Sequence, residues 1–306
     1  MAETSDILVI GGGPAGLTAA LYAARAGKRV TLLEAESCGG QIVFAPKVEN
    51  YPGLPDVSGA DFAAALCAQA ERFGAEIEYG TALSAERTAD GFAVQSDLGG
   101  LFRARALILA PGAAHRTLGL PGERELVGCG VSYCAVCDGA FYAGTDVAVL
   151  GGGNTALGDA LFLSGLCRSV TLIHRRKTFR GEAAALRRLE EKPNVKILTE
   201  CAVAELLQQG GALSGVRVRD LASGTEQDLT VSGLFVAIGQ VPRTGAFRTL
   251  VALDPAGYIA ADESCRTNVP GVFAAGDCRT KGVRQLTTAT GDGAAAALAV
   301  CAYLDT

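Results

Sequence analysis

One pattern occurs twice in this chain: an apolar run of strand length, a glycine-rich turn, a helix-forming stretch and a second apolar run. The first copy is Asp6-Ile-Leu-Val-Ile10, Gly11-Gly-Gly-Pro-Ala-Gly16, an alanine- and leucine-rich stretch from Leu17 to Ala26, then Arg29-Val-Thr-Leu-Leu-Glu34. Gly27 is a good stop for that helix. The second copy starts at Asp146, with the strand Val147-Ala-Val-Leu150, the turn Gly151-Gly-Gly-Asn-Thr-Ala156, a helix to about Leu163 and the strand Ser169-Val-Thr-Leu-Ile173. Their first glycines, Gly11 and Gly151, are 140 residues apart. Strand, turn, helix and strand in this order form a βαβ unit, whose strands run parallel. The repeat therefore predicts an α/β chain with two Rossmann-like dinucleotide-binding domains.

Composition agrees and narrows the choice. With 306 residues, two domains are the better expectation. Glycine supplies 40 residues, nearly twice the usual ~7%, without a collagen-like period. Aromatic residues are 6% and tryptophan is absent, which disfavours a stacking platform for nucleic acid. The net charge of −5 gives no basic surface for a duplex. The N-terminal MAETSDILVIGGG has no basic region or cleavage site, so no signal peptide is expected. The apolar run Ala294–Leu304 is 11 residues long, whereas a membrane span needs ~20. Neither nucleic acid nor membrane is an expected partner, and the expected location is cytoplasmic.

Beyond the second repeat, the pattern predicts a helix near 181–191, a strand near 195–198 and short strands between 204 and 231. Leu234–Gly239 reads as an apolar strand, and 240–245 as a turn-like linker. A late strand ends in Gly276-Asp277, and a long alanine-rich helix runs from about Arg284 to Tyr303.

The glycine turns carry specific chemistry. Gly11, Gly13 and Gly16 fit G-x-G-x-x-G: the first permits the tight turn, the second lets backbone approach a pyrophosphate, and the third lets helix pack on strand. Pro14 and Ala15 complete the turn. Glu34, 18 residues after Gly16, stands near the expected ~20 for an acid that accepts from ribose hydroxyls. The second turn, with Gly151, Gly153, Asn154, Thr155 and Ala156, is G-x-G-x-x-A. Its second strand ends not in an acid but in His174-Arg175-Arg176, with Arg180 beyond. Guanidinium groups bind a 2′-phosphate that a carboxylate would repel, so this site reads as NADP(H) rather than NAD(H).

Among ten cysteines, only Cys134-Ala-Val-Cys137 forms a C-x-x-C. That spacing permits a local disulfide, lowers one thiol pKa and suits thiol–disulfide exchange. Asp138 follows directly and is the nearest candidate to protonate a leaving thiolate. Zinc would need further ligands; Cys129 is available, but no second C-x-x-C or C-x-x-H occurs. The other eight cysteines read as small apolar packing groups.

Two nucleotide folds and a dithiol make a two-electron circuit that a flavin can bridge. With these residues on view, the chain resembles the low-molecular-weight, bacterial-type thioredoxin reductases over nearly its whole length. The resemblance rests on both glycine turns, Gly39-Gly-Gln41, Val48-Glu-Asn-Tyr-Pro-Gly53, Cys134-Ala-Val-Cys-Asp-Gly139, the arginine cluster, Phe235-Val-Ala-Ile-Gly239, Gly271-Val-Phe-Ala-Ala-Gly-Asp277 and Arg284-Gln285. It implies FAD in an outer domain, residues 1–113 and 244–306, and NADPH in an inserted domain, 114–243, that carries the redox pair. Gly40, Gln41 and Asn50 would line the flavin, Asp277 would bond its ribityl chain, and Arg284 and Gln285 would lie near its ring. Gly239 would belong to the NADPH site. A thioredoxin or thioredoxin-like protein would take the electrons, and the subunits would form a homodimer. Three positions depart from the family pattern: Ala110-Pro111-Gly112 replaces Ala-Thr-Gly, Gly158-Asp159 replaces a more acidic pair, and Cys38 precedes Gly39.

Rival readings make different demands. A flavin oxidoreductase serving another acceptor such as ferredoxin lacks C-x-x-C, a reductase driven by reduced ferredoxin lacks the arginine cluster, and a dithiol oxidase has little need of the arginines. A dinucleotide-binding redox sensor would bind the same cofactors and turn nothing over.

Overall fold

In the computed structural model of the chain, residues 4–54 and 56–306 are described. The chain forms two units: residues 1–114 with 241–306, and residues 115–240. The sequence pattern and the resemblance set those crossings at 113/114 and 243/244.

The discontinuous unit opens with β1 (Ser5–Ile10), α1 (Pro14–Arg25) and β2 (Val30–Glu34). Then follow α2 (Gly59–Arg72), β3 (Glu76–Tyr79), β4 (Ala82–Thr88), β5 (Gly91–Ser96), β6 (Leu101–Leu109) and β7 (Ala113–His115). Ile7, Leu8 and Val9 are fully buried, as an unbroken apolar run must be when helices or loops cover both sheet faces. Each such side chain contributes ~1.5–3 kcal/mol of burial. Helix α1 begins at Pro14, three residues earlier than the alanine–leucine run implies, because proline at the first position of a helix forgoes an N–H that would be unpaired anyway.

The inserted unit contains β8 (Val131–Ser132), α3 (Ala135–Asp138), β9 (Asp146–Gly151), α4 (Asn154–Ser164), β10 (Ser169–His174), α5 (Ala183–Glu190) and β11 (Val195–Thr199). After these come β12 (Cys201–Gln209), β13 (Ala212–Asp220), β14 (Glu226–Leu229), β15 (Gly233–Ala237) and β16 (Gln240–Pro242). The chain returns to the first unit with β17 (Val272–Ala274) and closes with α6 (Leu286–Leu304).

The first unit holds a seven-stranded sheet in the order β3-β2-β1-β6-β5-β4, with β17 also on β6. Strand β6 divides one edge: Leu101–Ala104 pair antiparallel with β5, and Leu107–Leu109 pair parallel with β17. The inserted unit holds a five-stranded parallel sheet, β11-β10-β9-β15-β8, and a three-stranded antiparallel sheet, β12-β13-β14. In both units a glycine turn leaves the C-terminal end of a central parallel strand, which is where ligands bind in open α/β sheets.

The stretch 240–245, expected as a linker, is ordered as β16 through Pro242, paired with β7 in a two-stranded sheet. Its neighbours are tied down as well: Arg116 N–H donates to Gly239 O at 3.0 Å, and Arg243 N–H to Gly112 O at 3.0 Å. Proline ends the strand, where a missing donor costs no ladder bond. No helix among the described residues is long and apolar enough to cross a membrane.

Candidate active site

The first glycine turn is shaped by close approaches. Gly11 has φ +101°, and a β-carbon there would collide with Ala110 O. At Gly16 one would collide with Gly11 O, so α1 can lie directly on its own turn only without a side chain. Nothing lies within 4 Å of the position a Gly13 β-carbon would take, which leaves open space beside that backbone. Pro111 lies inside the first unit, three residues before the crossing, and its Cα would stand 3.0 Å from a β-carbon on Gly11, so its backbone closes on the turn.

Glu34 is buried at the end of β2, and its Oε2 accepts the Gly12 N–H at 2.5 Å while Oε1 accepts from Glu36 N at 3.0 Å. A carboxylate has about four acceptor sites, so two remain for ribose hydroxyls. Gly39 N–H donates to Gly12 O at 2.7 Å, and a β-carbon on Gly40 would stand 3.2 Å from Gly13 Cα. Gly40 is thus brought to the fingerprint. Gln41 Nε2 donates to Ala113 O, and Asn50 Nδ2 donates to Gln285 Oε1 at 3.4 Å. Arg284 lies over the Tyr258 ring, 4.1 Å from its centroid.

Asp277 follows β17, and its Oδ1 is buried with no hydrogen-bond partner. Burial raises its carboxyl above the usual range, although Lys281 and Arg284 pull it down. An orphaned buried acceptor near a glycine cradle fits a polyhydroxyl ligand: a ribityl hydroxyl would supply the missing donor. The residues present therefore fit FAD.

In the inserted unit, a β-carbon on Gly151 would collide with Ala237 O, and one on Gly152 with the His174 ring. His174 is buried beneath the turn, stacked on Phe179 with centroids 4.6 Å apart, and its Nε2 lies 3.1 Å from Thr178 O. Its visible role is to support the turn. Arg175, Arg176 and Arg180 are exposed, and so is Lys177, a fourth cation in the same segment that belongs to no motif. Arg180 N–H donates to Gly152 O at 2.8 Å, and Asn154 Oδ1 accepts from Glu182 N at 2.7 Å, which ties the basic segment to the turn. Gly153 faces open space, and Thr155 is exposed in the first turn of α4 beside buried Ala156. Burial pushes the α4 carboxyl of Asp159 up to about 6. Arg116, also not anticipated, runs past Gly239, whose φ is +109°.

Cys134 and Cys137 form a disulfide with Cα atoms 5.3 Å apart. Cys134 caps α3, and its Sγ accepts the Cys137 N–H at 3.2 Å. The same N–H would stabilise a Cys134 thiolate after reduction. Asp138 Oδ2 accepts from the buried Ser132 hydroxyl at 2.6 Å, and that oxygen in turn accepts Cys134 N–H at 3.1 Å. Burial raises the Asp138 carboxyl, with the Ser132 bond opposing. Just before the pair, Tyr133 stacks on His115 and donates to Glu123, which also accepts from Leu118 N and Gly119 N. Neither Ser132 nor Glu123 has a sequence signal, because their roles come from neighbours that only folding supplies.

Of the other cysteines, 167, 201, 265, 278 and 301 are buried, as packing requires. Cys38 and Cys67 are half-buried, and burial beside Cys67 pushes the Cys38 thiol up to about 12. Cys129 is exposed, so the packing expectation fails there. Among the described residues no group of three His, Cys, Asp or Glu side chains could hold a metal ion.

Two dinucleotide cradles and an exchange-competent disulfide define an oxidoreductase of the dinucleotide–disulfide class. The chain belongs to the pyridine nucleotide-disulphide oxidoreductase family, which matches residues 5–293. It is 42% identical to a thioredoxin reductase of Listeria monocytogenes, over 94% of this chain and 90% of the relative. It is also 42% identical to a bifunctional thioredoxin reductase/thioredoxin of Mycobacterium leprae, over 96% of this chain and 64% of that one. The crystal structure of thioredoxin reductase from Streptococcus pyogenes superposes with a TM-score of 0.94 at 38% identity, covering 99% of this chain and 98% of the other.

Proposed function

We propose that this chain is an NADPH-dependent flavoprotein disulfide reductase that passes electrons from NADPH, via FAD and the Cys134–Cys137 disulfide, to oxidised thioredoxin. The observation that carries the reading is that disulfide, set beside a half-buried carboxyl in the same unit as an arginine-rimmed glycine turn. The discontinuous unit is the FAD domain and the inserted unit the NADPH domain.

Bound FAD supplies a two-electron link between a hydride donor and a disulfide. The chain's own residues do the rest. Backbone N–H groups of the first glycine turn take the diphosphate, Glu34 the ribose hydroxyls and Asp277 the ribityl chain. Gly40, Gln41, Asn50, Arg284 and Gln285 line the flavin, and Gly151 to Ala156 with Gly239 take the second dinucleotide. In the reduced pair, one thiolate attacks the partner's disulfide and forms a mixed disulfide, expelling the first partner thiolate. The second thiol then closes the Cys134–Cys137 bond and expels the other. Asp138, whose carboxyl burial raises above the usual range, gives its proton to a leaving thiolate.

NADPH oxidation should depend on added thioredoxin, with thiols appearing in step. NADPH consumption without new thiol would overturn the assignment. The purified protein should be yellow, with about one FAD per chain by absorbance after denaturation; a colourless protein that FAD cannot reconstitute contradicts the first-site assignment. Neutralising Arg175, Arg176 and Arg180 together should raise KM for NADPH more than tenfold and barely move that for NADH. Each hydrogen bond to a charged group is worth ~1.5–3 kcal/mol. An unchanged preference for NADPH would refute the 2′-phosphate assignment. A cytoplasmic homodimer is part of the same proposal, with light scattering expected at twice the monomer mass.

A further inference from the structure

Four hydrogen bonds converge on a carboxylate that no sequence motif singles out. Asp292, on α6, receives a two-pronged contact from Arg279, Nε to Oδ2 at 2.8 Å and Nη2 to Oδ1 at 2.7 Å. Lys281 Nζ reaches Oδ2 at 2.9 Å, and the Gly276 N–H reaches it at 3.0 Å. The three side chains are only 12%, 7% and 11% exposed for Arg279, Lys281 and Asp292. Burial works against the Asp292 charge, but the two cations outweigh it and hold the carboxyl below the usual range.

A buried ion cluster is poor value as a source of stability, since apolar residues of similar volume often do as well. Its location suggests another use. All the donors come from residues 276–281, and Asp277 lies within that stretch. Gly276 has φ +78°, and a β-carbon there would stand 2.8 Å from Ala15 Cβ. Gly293, next to Asp292, approaches the same residue: a β-carbon there would collide with Ala15 O and stand 2.9 Å from Thr18 Cβ. Asp292 thus stands where α6 crosses the first turn of α1, beside the glycine cradle. The two carboxyls also share a cation: Lys281 bonds Asp292 directly and acts electrostatically on Asp277.

We propose that Asp292 is a positioning residue for the flavin site, whose carboxylate, through Arg279, Lys281 and the Gly276 N–H, fixes Asp277 relative to the α1 glycine turn. This rests on the reading that the discontinuous unit binds FAD through Asp277. It differs from a purely structural role in one measurable way. If Asp292 acts through Asp277, the two substitutions must not add.

The test follows FAD release from the holoenzyme by recovery of free-flavin fluorescence on dilution. Asp277→Asn and Asp292→Asn should each weaken FAD retention by about tenfold or more, and the double variant should release FAD about as the Asp277→Asn variant does. Lys281→Met, which leaves the Arg279 contact in place, should have a smaller effect that also vanishes in the Asp277→Asn background. It replaces Asp292→Asn in the cycle if that variant does not fold. Fully additive losses, or parental FAD retention in Asp292→Asn, would overturn the inference while leaving the FAD reading intact. Parental retention in Asp277→Asn would remove the ribityl assignment and the inference with it.

Discussion

Cys134→Ser and Cys137→Ser variants are each expected to lose thioredoxin reduction entirely while NADPH still bleaches the flavin at close to the parental rate. The reason is the division of labour between the sulfurs and the nucleotide cradles. Hydride delivery, as proposed, uses the two glycine turns and their ribose and phosphate partners, and its chemistry makes no bond to sulfur. Disulfide exchange needs both sulfurs: one to form the mixed disulfide and one to resolve it. A serine oxygen can do neither. Stopped-flow absorbance of the flavin, run beside an insulin-type disulfide assay coupled through thioredoxin, separates the two steps. Zinc ligation predicts instead that bound metal and the fold are lost together, and a redox sensor predicts no turnover in the parent. Parental thioredoxin reduction by the double variant would refute the relay.

Asp138→Asn carries the next largest expected effect, a loss of about 10²- to 10⁴-fold in thioredoxin reduction with flavin reduction spared. Asparagine keeps the shape and can still pair with the Ser132 hydroxyl, so the change isolates the proton. The pH dependence gives a second check. Burial raises the Asp138 carboxyl, so its protonated form persists above the pH at which an exposed aspartate has ionised. Exchange that draws on this proton should fall as pH rises through the raised pKa, and the Asn variant should lack that fall. A parental pH profile in the variant would assign the proton to another group.

How much of this was legible depends on where the information resides. The two βαβ units were readable because strand, glycine turn and helix are local patterns, and each glycine answers a backbone collision within its own turn, as Gly16 does with Gly11 O. Glu34 and the basic cluster were readable because both follow from the fixed distance between turn and second strand. Ser132, Glu123 and Asp292 were not, because a single polar residue reveals nothing until its partner arrives from elsewhere in the fold. Asp292 is 13 residues from Arg279 in sequence, and no periodicity connects them. Strand β16 was hidden for a related reason. Gln240-Val-Pro has no strand pattern, and it becomes one only because the chain returns beside β7. His174 was legible as part of a motif, but not its position under the turn, which depends on the ring's fit to Gly152.

The divided edge of β6 has a consequence for biosynthesis. Its last three residues receive their partner from β17, so the first unit's sheet stays open until the ribosome has made everything in between. The inserted unit is continuous and emerges whole, so it can fold while the sheet around it is still missing a strand. During that interval Leu107, Ile108 and Leu109 present an unpaired apolar edge, which invites pairing with other nascent chains. The order of synthesis thus leaves the discontinuous unit as the last to close, and where that unit binds FAD as proposed, free flavin would draw the late segment home by binding only the completed unit.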